Sequence, residues 1–169
     1  MSQFLSQLEP VEVPARTILL REGDVADRLY FIDCGCLRLG FLDSGRDITF
    51  QFFLDGECVA SFDSLYTRAP SLFTLQALEP SRLRVLPRAD FFQLLDADVD
   101  ARRYFEQKLV SRFRAYQQLF LSRIRLTPRQ RYEELLRTRP DLLRRIPQHY
   151  IASYLGITPV SLSRIRARH

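Results

Sequence analysis

The chain has no tryptophan, one methionine, two histidines and a single lysine, Lys108, among its 169 residues. The histidine shortage bears first on chemistry. A metal-holding β-barrel enzyme needs two or three histidines converging inside the barrel. Here both, His149 and His169, fall in the last part of the chain. Ser61, Ser71 and Asp63 have no histidine or lysine nearby to act as a base, so no nucleophile–base pair forms. No catalytic residue, no cofactor and no metal site is assigned, and an enzyme is not expected. Three cysteines, Cys34, Cys36 and Cys58, make an odd set without metal-ligand spacing. They are read as small apolar residues of a reduced, cytoplasmic protein, with Cys34 and Cys36 on the same side of one strand. No apolar run reaches membrane-spanning length. The start, MSQFLSQLEP, lacks a basic segment followed by an apolar one, so neither a secretory signal nor a membrane partner is expected.

The lysine shortage is matched by an arginine excess that is unevenly placed. Residues 1–100 hold 9 Arg and 16 acidic residues, a net of −7. Residues 101–169 hold 15 Arg, Lys108 and 4 acidic residues, a net of +12. Such asymmetry points to one half that meets a polyanion. Arginine suits phosphate and guanine because its planar fork donates two parallel hydrogen bonds.

From Val11 to Leu86 the segments are short and rich in β-formers, separated by turn signals such as Glu22-Gly23-Asp24, Asp43-Ser44-Gly45 and Asp55-Gly56. This predicts a β-sandwich or roll. In Cys36-Leu37-Arg38-Leu39 the polar Arg38 between apolar neighbours reads as alternation. After Pro87 the pattern turns helical. A stretch from about Val99 to Leu126 runs without Gly or Pro and carries two apolar stripes. One holds Phe105, Leu109, Arg112, Tyr116, Leu119 and Arg123; the other holds Leu109, Phe113, Phe120 and Ile124. Two stripes can bury against two things, the β-unit and a second copy of the helix. The first stripe is taken as the homodimer interface. Thr127-Pro128 then begins another helix.

The last residues, QHYIASYLGITPVSLSRIRARH, carry a helix-turn-helix pattern. Ile151 and Leu155 lie one turn apart on a first helix, and Gly156 suits a turn with positive φ. Thr158 can cap a second helix with Pro159 at its first position. Leu162 and Ile165 face inward, which leaves Ser161, Ser163, Arg164, Arg166 and Arg168 outward, as a major-groove reader requires. Arg164 is the candidate base contact. Thr158, Ser161, Ser163, Arg166 and Arg168 are candidates for phosphate or base contacts, and Gln148 and His149 for phosphate at the first helix's start.

Taken together, REGDVADRLYFIDCGCLRL, the long helix and RIPQHYIASYLGITPVSLSRIR resemble the Crp/Fnr superfamily of bacterial transcription regulators, in particular a short-chain branch common in Bacteroidetes. The resemblance covers nearly the whole chain. It implies an α+β fold: an N-terminal double-stranded β-helix (a jelly-roll β-roll) at 1–98, a dimerisation helix at 99–126, and a helix-turn-helix DNA-binding unit at 127–169 without a C-terminal wing. It also implies double-stranded DNA and a second copy of the chain as partners.

Two departures from the family pattern bear on function. Members that bind cyclic nucleotides carry Gly-Glu, nine residues, then Arg and a hydroxyl residue. Here those positions are Ala60, Ser61, Ser71 and Leu72, followed by Phe73. A phosphate buried without a cation faces a large desolvation cost, so this effector pocket is degenerate. The effector is unknown and is not expected to be cyclic AMP; Arg68 is the nearest alternative cation in that loop. In the reading helix, the family's first two base readers fall on Pro159 and Val160 and the third on Arg164. The alternative function is a ligand-sensing or protein-interaction module that has lost specific DNA binding.

Overall fold

The computed structural model describes residue 4 and residues 6–167. Eight short strands build the N-terminal part: β1 (Pro10–Val13), β2 (Ile18–Leu20), β3 (Arg28–Cys34), β4 (Leu37–Asp43), β5 (Arg46–Phe53), β6 (Cys58–Val59), β7 (Thr74–Ala77) and β8 (Ser81–Pro87). They form two four-stranded antiparallel sheets, ordered β1-β8-β3-β6 and β2-β7-β4-β5. The crossing from β3 to β4 changes sheet at Gly35, whose φ of +126° and close approach to Ser81 leave no room for a Cβ. The β4–β5 hairpin turns through Ser44 and Gly45, both at positive φ, the twist a tight hairpin needs.

Among the described residues, seven helices follow or interrupt the roll: α1 (Phe62–Thr67), α2 (Arg88–Ala97), α3 (Val99–Arg125), α4 (Pro128–Thr138), α5 (Pro140–Arg145), α6 (Gln148–Leu155) and α7 (Pro159–Ala167). Asp98 caps α3 by accepting from the amides of Asp100 and Ala101. Thr127 and Gln130 form a reciprocal capping box on α4.

Burial falls in three layers. Between the sheets lie Ile32, Leu37, Leu39, Phe53, Leu75 and Leu83. Outside the first sheet, Leu29, Phe31 and Leu86 pack on Leu65, Phe91, Leu95 and Phe105 of the helices. Outside the second, Cys36, Phe52 and Leu54 pack on Tyr132, Leu135, Leu142, Ile146, Ile151, Leu155 and Leu162. The helices after α3 therefore share a core with the roll.

Polar contacts reinforce that junction. Arg145 of α5 donates to Asp55 at 2.8 Å, to the Gly35 carbonyl at 3.0 Å and to Glu79. The Ser153 hydroxyl accepts from the Thr49 amide at 2.8 Å and lies 3.1 Å from the Asp47 carbonyl.

Two sequence readings need correction. The polar–apolar alternation at Arg38 is not an alternation of burial; Arg38 is 4% exposed, as buried as Leu37 and Leu39 beside it. Its guanidinium bonds Thr49 and Asp47 on the neighbouring strand and stacks 4.4 Å from the Tyr150 ring centroid of α6. Cys34 and Cys36 do not share a side, because the Gly35 turn separates them: Cys34 is exposed and Cys36 is buried.

Candidate effector pocket and nucleic-acid interface

In the first stripe of α3, Phe105 is 2% exposed and packs edge-on against Phe31 and Phe91. Arg112 donates to the Cys58 carbonyl and stacks on Phe53 at 4.4 Å. Tyr116 lies 5.0 Å from Phe50 of β5, and Leu119 is half-buried between α3 and α4. Arg123 donates to the Tyr154 carbonyl, at the end of α6. Phe105, Arg112 and Tyr116 of this stripe, assigned to a second copy, pack on the chain's own roll, whereas Leu109 and Arg123 remain exposed. Arginine stems and aromatic rings bury as readily as aliphatic ones, so either stripe could have done so. Leu109 belongs to both stripes. Val110, Phe113, Phe120, Leu121 and Ile124 stand exposed on the far side, four of them above 60%.

Where α3 crosses the roll, a half-open cavity of about 390 Å³ forms. Ala60, Ser61 and Phe73 line it, together with Leu39, Phe50, Phe62, Asp63, Leu109, Arg112, Phe113 and Tyr116. Phe73 stacks on Phe50 at 4.5 Å. Ser71 is buried, with its Oγ 2.8 Å from Ser61 Oγ and bonded to the Phe73 backbone. Leu72 is 66% exposed and points away. Arg68 donates to the Ala26 carbonyl at 3.0 Å, in the segment between β2 and β3, and does not line the cavity. Among the described residues, the one cation on the wall is Arg112, supplied by α3 rather than by the roll. Of the aromatic wall, the sequence pointed to Phe73 alone; Phe50 and Phe62 come from other segments of the chain. Burial pushes the Tyr116 hydroxyl's pKa up, with Arg112 opposing it, so the wall presents a neutral phenol.

At the other end, Gly156 occupies the left-handed region (φ 68°, ψ 36°) and ends α6. Thr158 accepts from the Ser161 amide at 3.1 Å and caps α7; the Thr158 and Ser161 hydroxyls also lie 3.0 Å apart. Leu162 is buried and Ile165 half-buried against α6, whereas Ser163, Arg164 and Arg166 are exposed. Gln148 and His149 are exposed at the start of α6, where Pro147 gives no side-chain cap. Arg168 lies outside the described residues.

Among the described residues, no helix is long and apolar enough to cross a membrane, and no group of three His, Cys, Asp or Glu could hold a metal ion.

No curated protein sequence matches the chain. Its fold recurs in solved structures at low identity. FixK2 from Bradyrhizobium japonicum superposes with a TM-score of 0.81 at 19% identity, over 95% of this chain and 83% of FixK2. CLP, a c-di-GMP-responsive global regulator linking cell–cell signalling to virulence gene expression in Xanthomonas campestris, gives 0.74 at 20%, over 99% and 88%. The Thermus thermophilus catabolite activator protein gives 0.61 at 24%, over 99% and 80%. Residues 10–98 match the model of the cyclic nucleotide-binding domain, and with that span, more than half its length, the chain belongs to the cyclic nucleotide-binding domain family.

Proposed function

We propose that the chain is a dimeric, DNA-binding transcription regulator of the Crp/Fnr type, of the short branch common in Bacteroidetes, acting in the cytoplasm and not as an enzyme. Residues 1–98 form its sensing unit, 99–126 its dimerisation helix and 127–169 its helix-turn-helix unit. The observation that carries this reading is the α6–Gly156–α7 pair. A buried α6 supports a capped α7, whose exposed face carries Arg164 and Arg166. The +12 net charge of residues 101–169 supplies the attraction for phosphate. Arg164 reads a base, and Gln148, His149, Thr158, Ser161, Ser163, Arg166 and Arg168 contact phosphate or neighbouring bases. The sharing of fold with a global regulator and a catabolite activator supports the assignment.

The second copy docks on the exposed α3 face, through Leu109, Val110, Phe113, Phe120, Leu121 and Ile124. So many large apolar groups on one helix face are costly to leave in water. The pairing sets two α7 helices about 34 Å apart, in successive major grooves.

The effector cavity is degenerate toward cyclic nucleotides. Its aromatic wall, together with Asp63, suits a less charged ligand than cyclic AMP.

The test is selection of bound duplexes from a random pool, followed by titration with salt. Affinity should fall steeply with salt and the selected sites should be two-fold symmetric. Pro159 and the 60%-exposed Val160 favour the alternative, an interaction module without specific DNA binding. Salt-insensitive behaviour toward any duplex would favour that alternative.

A further inference from the structure

A second cavity, of about 310 Å³, opens between β5, α3, α4 and α6, away from the roll's pocket. Its floor is apolar: Leu119, Leu135 and Leu155. Its rim holds Arg131 and Glu134, neighbours on one face of α4. These two do not pair with each other, and neither has an ion-pair partner among the described residues. The other arginine on the wall, Arg139, is already bonded to Asp141 at 3.3 Å.

Arg131 uses two of its N–H groups on helix-end carbonyls, those of Leu155 at 2.9 Å and Leu126 at 2.8 Å. The remaining N–H groups have no acceptor among the described residues. Burial, and then the nearby Arg123, pull its pKa below the ordinary value. A cation in that position gains from an added carboxylate. Three further polar groups reach the same space without a bond among the described residues: the side-chain amides of Gln51 and Gln118 and the Tyr154 hydroxyl. The Tyr154 ring rests on Phe52 at 5.3 Å, and burial raises its pKa and keeps the hydroxyl a donor.

Unmatched charges of both signs, over an apolar floor, describe a ligand of complementary pattern. A simple anion would meet Glu134, and a simple cation would meet Arg131 with Arg123 behind it. The volume lies at the small end of ligand sites, which run from roughly 300 to 1,000 Å³. We propose that this cavity binds a free α-amino acid with an apolar side chain. The carboxylate sits on Arg131, the ammonium group on Glu134, and the side chain over Leu119, Leu135 and Leu155. Four elements contribute to the wall, so an occupant ties α6 to α3 and α4. It would therefore bias the orientation of α7 independently of the aromatic pocket.

Calorimetry on the full chain tests this with L-leucine and L-phenylalanine as probes. Two analogues of leucine, 3-methylbutylamine and 4-methylpentanoate, each keep the side chain and one charge. At least one amino acid should give saturable heat, and both analogues should bind roughly tenfold or more weakly, because each leaves one charge unpaired. Glu134→Gln should weaken the amino acid by roughly tenfold without changing the thermal midpoint of the unliganded protein, since the residue is exposed. Tyr154→Phe should weaken it a few-fold. Arg131 is avoided as the primary variant because it also holds two helix ends. The proposal is overturned if neither amino acid binds at millimolar concentration, if either analogue binds as well as leucine, or if Glu134→Gln leaves affinity unchanged.

Discussion

The hydroxyl oxygens of Ser61 and Ser71 lie 2.8 Å apart, both side chains buried. Counted along the sequence without a gap, they fall where the family resemblance puts a carboxylate and a guanidinium. Here two short neutral groups satisfy each other and the Phe73 backbone. A cyclic phosphate entering would break those bonds and find no cation from the roll. Calorimetry with cyclic AMP and cyclic GMP should show no saturable heat at micromolar ligand. Micromolar affinity would mean that Arg112, reaching from α3, replaces the missing clamp.

The two faces of α3 should respond differently to substitution. Phe113→Glu and Ile124→Glu place charges on the exposed face and should leave a folded monomer in sedimentation. Phe105→Ala opens a hole in the core beneath Phe31 and Phe91 and should cost about 3–5 kcal/mol of folding free energy, with assembly of the folded fraction retained. An unchanged oligomer in both glutamate variants would exclude the far face as the interface.

The link between α5 and the roll should be visible in acid. The hydrogen bond from Arg145 comes first among the causes that hold the Asp55 carboxyl below its ordinary value of 3.8. A depressed folded-state pKa contributes stability that is complete above the unfolded value and is lost as pH falls through the folded one. Melting temperature should therefore drop as pH falls from the ordinary carboxylate value downward. Arg145→Ala should lower the plateau and flatten that drop. Both groups are partly exposed, so high salt should weaken the effect. An identical acid profile in the variant would assign the loss to other carboxylates.

Thiol chemistry should separate the cysteines. Cys36 is buried and its thiol is pushed up to about 12, chiefly by burial; Cys58 is also buried and raised. Cys34 is exposed. Alkylation of the folded protein at neutral pH should modify Cys34 alone. Rapid labelling of Cys36 would indicate that the helices leave the second sheet.

Local signals carried much of the architecture. Turn residues bounded the strands, and the run without Gly or Pro from Val99 to Leu126 marked the stretch that contains α3. Thr127 could be read as a cap from its position before Pro128. What escaped the sequence depended on distant partners. Arg38 is buried because Asp47 lies across the hairpin and Tyr150 arrives from α6, contacts no local pattern encodes. The packing of Arg112 and Tyr116 on the roll was not legible either, because their stems and rings bury against Phe53 and Phe50 from distant strands. The second cavity was invisible because its wall comes from β5, α3, α4 and α6, far apart along the chain.

The most direct test of the account is the affinity of Arg164→Ala for a selected duplex and for a random one, at the same salt concentration. The guanidinium is exposed on α7, away from the buried Leu162. Its loss should cost roughly 1–3 kcal/mol on the selected site, much less on the random one, and relax preference at one base pair per half-site. Arg166→Ala, as a phosphate contact, should weaken both duplexes alike. If Arg164→Ala leaves both affinities unchanged at low salt, α7 is not the DNA-reading surface and the regulator assignment fails.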